Sequence, residues 1–188
     1  AGIAVGTYGE AYLYNTYNAV TVDGGDGANT IDIDVTSTAL GIGAHDSGYA
    51  TSYLWSNSVD VQGGGGTDTV SVDINSTGRA IGTYADAYLY NSNNVVSVDV
   101  GDGANTVDIN VVGDADGLAF SNNAYATSYL WSNSVDVQGG ADTDDIAVEI
   151  ASIGHAEALG IDYAEAYLYN SDNDITIAAG DGANSVDL

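Results

Sequence analysis

The sequence predicts an all-β fold, a parallel β-solenoid (β-helix) of about five coils of about 38 residues each, with two repeat types in alternation. Three observations predict it. The chain repeats itself, each repeat alternates apolar and polar residues with period two, and the joints are Gly, Asn and Ser. Tyr49–Gly64 recurs without change at Tyr125–Gly140. A sister unit, beginning Ala-Tyr-Leu-Tyr-Asn, starts at Ala11, Ala87 and Ala166, so the order is A-B-A-B-A and 1–188 reads as a single domain. Taken in order, Val20–Asp23, Ile31–Val35, Val59–Gln62, Val70–Ile74 and Val107–Val111 alternate as strands with one buried face do. Gly24–Asn29, Gly63–Gly66, Gly101–Asn105 and Gly180–Asn184 are turns, where Gly and Asn accept positive φ. Strand starts at Val20, Val59, Val96, Val135 and Ile175 step by 39, 37, 39 and 40 residues. Aromatic anchors at Tyr14, Trp55, Tyr90, Trp131 and Tyr169 step by 41, 35, 41 and 38. A propeller blade of four antiparallel strands has a similar period. Repeats that match position by position, short joints and the missing Gly-His and Trp-Asp signatures favour the solenoid.

Composition bounds the function. With 27 Asp and Glu against one basic residue, Arg79, the net charge is −26. Such a chain lacks the positive footprint of a nucleic-acid binder. No apolar run approaches the ~18 residues of a transmembrane helix. The absence of Cys excludes disulfides and thiolate metal sites. A hydrophobic content of 45% argues against disorder. The balance points to a secreted or surface-displayed protein whose self-repulsion is offset by cations, salt or low pH.

Stacking repeats in register places like residues in ladders about 4.8 Å apart. Asn18, Asn57, Asn94, Asn133 and Asn173 form an internal ladder, with Val, Ile, Tyr and Trp stacked inside on their own kind. Outside, Asp32, Ser71, Asp108, Ala147 and Asp187 share one row, and Asp34, Asp73, Asn110 and Glu149 share another.

The turns resemble the RTX calcium-binding nonapeptide, Gly-Gly-x-Gly-x-Asp-x-U-x. Gly63–Ser71 fits every specified place. Gly24–Asp32 carries Asn29 for the Asp, Gly101–Asp108 and Gly180–Asp187 carry Asn105 and Asn184, and Gly139–Ala147 carries Asp142 for the third Gly but keeps Asp144. The resemblance implies calcium at the turns, with Asp68, Asp142 and Asp144 as candidate ligands. Separately, Asp26, Asp102 and Asp181 recur at one turn position and would stack in alternate coils as an acidic ridge, a further candidate set for calcium. The longer strand–turn–strand unit with inward Asn is similar to the curlin repeat of curli-type bacterial amyloids. That likeness implies secretion and head-to-tail assembly into biofilm fibres.

No catalysis is expected. His45-Asp46-Ser47 has the residue types of a hydrolase triad, but chain neighbours in one turn cannot form the relay. Neither end carries a cap, and an uncapped coil exposes unpaired backbone groups. Ser185-Val-Asp-Leu188 matches Ser71-Val-Asp-Ile74, and Gly6-Thr7-Tyr8 matches Gly82-Thr83-Tyr84, so one copy's end continues into the next copy's start. The expected function is a structural subunit of an extracellular filament, a homopolymer assembled head to tail, at a cell surface or in a biofilm matrix. The alternative is a calcium-stiffened segment of a large RTX-type cell-surface adhesin.

Overall fold

A computed structural model describes residues 1–160 and 163–188. The chain winds into a parallel β-solenoid of about five turns of ~39 residues, without helix among the described residues. Three parallel sheets form its sides. The first stacks the long strands β1 (Gly2–Gly6), β4 (Thr30–Gly43), β7 (Thr69–Gly82), β10 (Thr106–Ala119), β13 (Asp145–Ala158) and β16 (Ser185–Asp187) in that order. The second stacks β2 (Gly9–Thr16), β5 (Ser47–Trp55), β8 (Tyr84–Ser92), β11 (Ala124–Trp131) and β14 (Ala164–Ser171). The third stacks β3 (Ala19–Asp23), β6 (Ser58–Gln62), β9 (Val95–Gly101), β12 (Ser134–Gly139) and β15 (Asp174–Ala178). No helix among the described residues is long and apolar enough to cross a membrane.

The long strands set the shape of the interior. Along β4 the inward residues are Ile31, Ile33, Val35, Ser37, Ala39, Gly41 and Gly43, and their size falls steadily. Along β10 the inward residues likewise pass from large to small, from Val107, Ile109 and Val111 to Gly113, Ala115, Gly117 and Ala119. The large end packs on Val59, Val61, Val96, Val98, Val135 and Val137 of the third sheet. The small end packs on Ala50, Ala85, Ala87, Ala124 and Ala126 of the second. There the two sheets come so close that a Cβ at Gly41 or Gly117 would meet the carbonyl oxygen of Tyr49 or Tyr125. Where the two cores join, Ser52 Oγ donates to Ser37 Oγ at 2.8 Å, and Ser152 Oγ donates to Ser128 Oγ at 2.9 Å, so the buried hydroxyls satisfy one another.

The asparagine ladder forms as expected. The backbone N–H and Nδ2 of Asn18 donate to Asn57 Oδ1, those of Asn57 to Asn94, those of Asn94 to Asn133 and those of Asn133 to Asn173. Each Asn follows a corner residue of positive φ, namely Tyr17, Ser56, Asn93, Ser132 and Asp172 at 53–59°. The acidic rows also form: Asp32 pairs with Ser71, Asp108 with Ser71 and Ala147, and Ala147 with Asp187.

Three expectations are corrected. The tyrosines and tryptophans stack outside, because the short distance between the first and second sheets leaves room only for Ala, Ser and Gly over most of that interior. Tyr14 pairs with Tyr53 and Thr16 with Trp55, so the aromatic steps equal those of the asparagine ladder, 39, 37, 39 and 40. Asp187 stacks on Ala147, in the row of Ser71, which places Ser185–Leu188 two residues earlier than the match to Ser71–Ile74. Hydrogen bonding from the Asp144 N–H to Asn184 Oδ1, at 2.8 Å, sets that register.

Candidate functional site

The turns before the long strands carry a second polar ladder, Asn29–Asp68–Asn105–Asp144–Asn184. Asp68 Oδ1 accepts from the N–H and Nδ2 of Asn29, both at 2.9 Å. Asp144 Oδ1 accepts from the N–H and Nδ2 of Asn105 at 3.1 and 3.0 Å. Asp68 and Asp144 donate their own N–H groups to Asn105 and Asn184. In the A coils the amide also serves its own turn: Asn29 Nδ2 lies 3.2 and 3.1 Å from the carbonyl oxygens of Gly25 and Gly27, and Asn105 Nδ2 lies 3.2 and 2.9 Å from those of Gly101 and Gly103. In the B coils a carboxylate oxygen takes the place of that NH₂. Asp68 and Asp144 are fully buried, and their Oδ2 atoms have no hydrogen-bond partner. A Cβ at Gly63 would fall 2.6 Å from Asp68 Oδ2 and 2.9 Å from the Val100 carbonyl oxygen, so acid and carbonyl converge on one small space. Gly139 sits in the same way between Asp144 Oδ2 and the Ala179 carbonyl. Oxygen facing oxygen is the donor set of a hard cation. Asp68 and Asp144 are the turn acids that hold such a free oxygen, each beside one backbone carbonyl.

The other candidate ligands lie apart from these sites. Asp26, Asp102, Asp142 and Asp181 are exposed. Asp102 and Asp181 flank Ala141 in one row of the turns, with Ala141 bridged to Asp181 and its N–H bonded to Asp102 Oδ1 at 3.1 Å. Standing in alternate coils, about 9.6 Å apart at the strand spacing, they cannot share an ion. Among the described residues no three His, Asp or Glu side chains converge as a ligand cluster. At His45-Asp46-Ser47 the Ser47 hydroxyl donates to Asp46 Oδ1 at 3.2 Å.

Sequence reasoning missed the concentration of aromatics on one side. All 14 tyrosines and both tryptophans lie on the outward face of the second sheet or at its flanking corners. Tyr14, Tyr53, Tyr90, Tyr129 and Tyr169 stack face to face with centroids 4.4–4.9 Å apart and planes within 7°. The next row but one reads Glu10–Tyr49–Asp86–Tyr125–Glu165. At its two ends the carboxylates are engaged by phenols. Tyr12 Oη donates to Glu10, which pushes the Tyr12 phenol up to about 12, and hydrogen bonding to Glu165 pushes Tyr167 up to about 12. Burial, then the charge of Asp86, pushes Tyr84 up to about 12, and burial raises Asp86 itself.

Within residues 1–188 the first and last coils each pair on one side only. Each ladder runs one way, every N–H donating to the following coil, so Asn18 and Asn29 have no donor before them, and the N–H groups of Asn173 and Asn184 have no acceptor after them among the described residues. Comparison with protein-family models, with curated proteins and with solved structures finds no match to this chain.

Proposed function

We propose that the protein is a structural subunit of an extracellular filament, built by stacking the last coil of one copy on the first coil of the next. The polarity of the two ladders supports this reading most directly. One end of the column presents Asn18 and Asn29 acceptors, the other presents Asn173 and Asn184 donors, and the two are complementary head to tail and not head to head. The strand edges agree: β1 to β3 and β14 to β16 each pair on one side only. Such a contact does not close on itself and generates a fibre. The acidic, cysteine-free surface suits a secreted matrix component, and the curli likeness points the same way. Electron microscopy of the 188-residue chain is expected to show unbranched filaments that lengthen with concentration. Val186→Pro, which removes an edge donor in β16, is expected to abolish them while the circular dichroism of the fold is kept. A dispersed monomer at high concentration would refute the reading.

A second reading, a calcium-stiffened repeat segment of a large cell-surface adhesin, draws on the orphaned Asp68 and Asp144 oxygens. A chelator is then expected to lower the melting temperature by several degrees, since a bound cation stabilises by mass action. The Asp68→Asn/Asp144→Asn double variant, which restores the amide of the A coils, is expected not to respond. Equal chelator responses in both proteins would count against calcium at these turns.

A further inference from the structure

We propose that Asp86 and the tyrosines around it form a binding site for an alkylammonium group of a linear polyamine. Asp86 faces outward from the middle strand of the tyrosine sheet. Register sets Tyr49 and Tyr125 directly beside it in the neighbouring coils. Period two sets Tyr84 and Tyr88 on either side of it along its own strand. The acid is thus walled by four aromatic residues on a surface whose other carboxylates lie mostly among Ser, Thr and Asp. Burial against these walls raises its proton affinity. Yet among the described residues Asp86 accepts no side-chain hydrogen bond, and the only ion pairs are those of Asp116 with Arg79 and His155. A half-buried carboxylate without a protein partner is open to a cationic ligand.

The surroundings select the kind of cation. Calcium needs six to eight oxygen ligands, and one carboxylate among phenol rings does not supply them. An alkylammonium needs one anion, aromatic surface for its charge, and apolar walls for its methylene stem. The tyrosine site offers all three. The first coil shows the contrast: Glu10 takes up the phenol of Tyr12, whereas Asp86 keeps its acceptors open. A net charge of −26 draws polycations to the column from all sides, and the tyrosine walls give one place on it selectivity. The inference does not depend on filament formation.

The test is calorimetric titration of the full chain with spermine at fixed ionic strength. Asp86→Asn is compared with Asp60→Asn, which removes the same charge from the third sheet. Asp86→Asn is expected to weaken binding by about tenfold or more, as loss of a charge-assisted hydrogen bond does, and Asp60→Asn by less than about twofold. Tyr84→Leu/Tyr88→Leu is expected to weaken it about fivefold through the lost aromatic faces. In the unmutated protein, spermine is expected to shift the amide resonances of Tyr49, Tyr84–Tyr88 and Tyr125 first. Equal weakening by the two Asp variants, or shifts spread evenly over the acidic rows of the other sheets, would overturn the assignment.

Discussion

The hexapeptide Ala-Tyr-Leu-Tyr-Asn-Ser occurs in β8 at 87–92 and in β14 at 166–171, and the two copies live in different surroundings. Leu89 is fully buried, while Leu168 is 50% exposed. Asn91 donates to the carbonyl oxygens of Ile74 and Val112, in two different coils, while Asn170 donates to Ile150 alone. The local sequence is the same, so the difference comes from the neighbours. A coil of this fold does not bury its own apolar face, and the coils above and below complete it. The last coil has a neighbour on one side only, and stacking a further coil would give β14 the surroundings of β8.

Substitution of the two leucines breaks the comparison most strongly. Leu89→Ala is expected to cost about 2–5 kcal/mol, the range for a core cavity, and Leu168→Ala about 1 kcal/mol or less in dispersed protein. Denaturant melts of both variants check this, and comparable losses would mean that the end coil is already covered. The asparagine ladder sharpens the same contrast on a smaller scale. Asn94→Ala strands donors of Asn57 inside the column and is expected to cost about 2–3 kcal/mol. Asn18 lies at the open end, and Asn18→Ala is expected to cost about 1 kcal/mol or less.

Much of this was legible beforehand. The asparagine ladder and the acidic rows followed from aligning Asn-x-Val and Val-Asp-Ile segments, because in-register parallel strands must stack equals on equals. The aromatic rows did not follow. A slip of two residues, such as Tyr14 set against Trp55, keeps every side chain on its own face, so alternation alone cannot detect it. The side of the tyrosines was obscured for another reason. Both faces of β8 are apolar by composition, Ala87 and Leu89 within and Tyr88 and Tyr90 without, and only the close approach of two sheets shows that the small residues face inward. In the turns, the motif singled out Asp68 and Asp144. That one oxygen of each lacks a partner depends on the coil stacked beneath, which no single repeat reveals.

The smallest expected effect is a pH dependence. Burial, followed by the neighbouring charge of Asp116, raises Asp114, and burial raises Asp86, so the fold favours their protonated forms. Their contribution is complete below the ordinary aspartate value of 3.8 and is lost as pH rises through their higher folded values. The melting temperature is therefore expected to rise modestly on acidification from neutral pH, and less so in Asp86→Asn. At the alkaline end Tyr84, held up at about 12, favours the neutral phenol, so stability is expected to fall as pH rises from 10 through 12. Melting curves across these ranges check both.

Amide hydrogen exchange of β8 and β14 in the same sample, followed from dilute to concentrated protein, tests the stacking of copies most directly. The account expects β8 to be protected throughout, and the amides of β14 that point away from β11 to go from fast exchange to protection matching β8 as filaments form. Fast exchange of those amides at every concentration would contradict it.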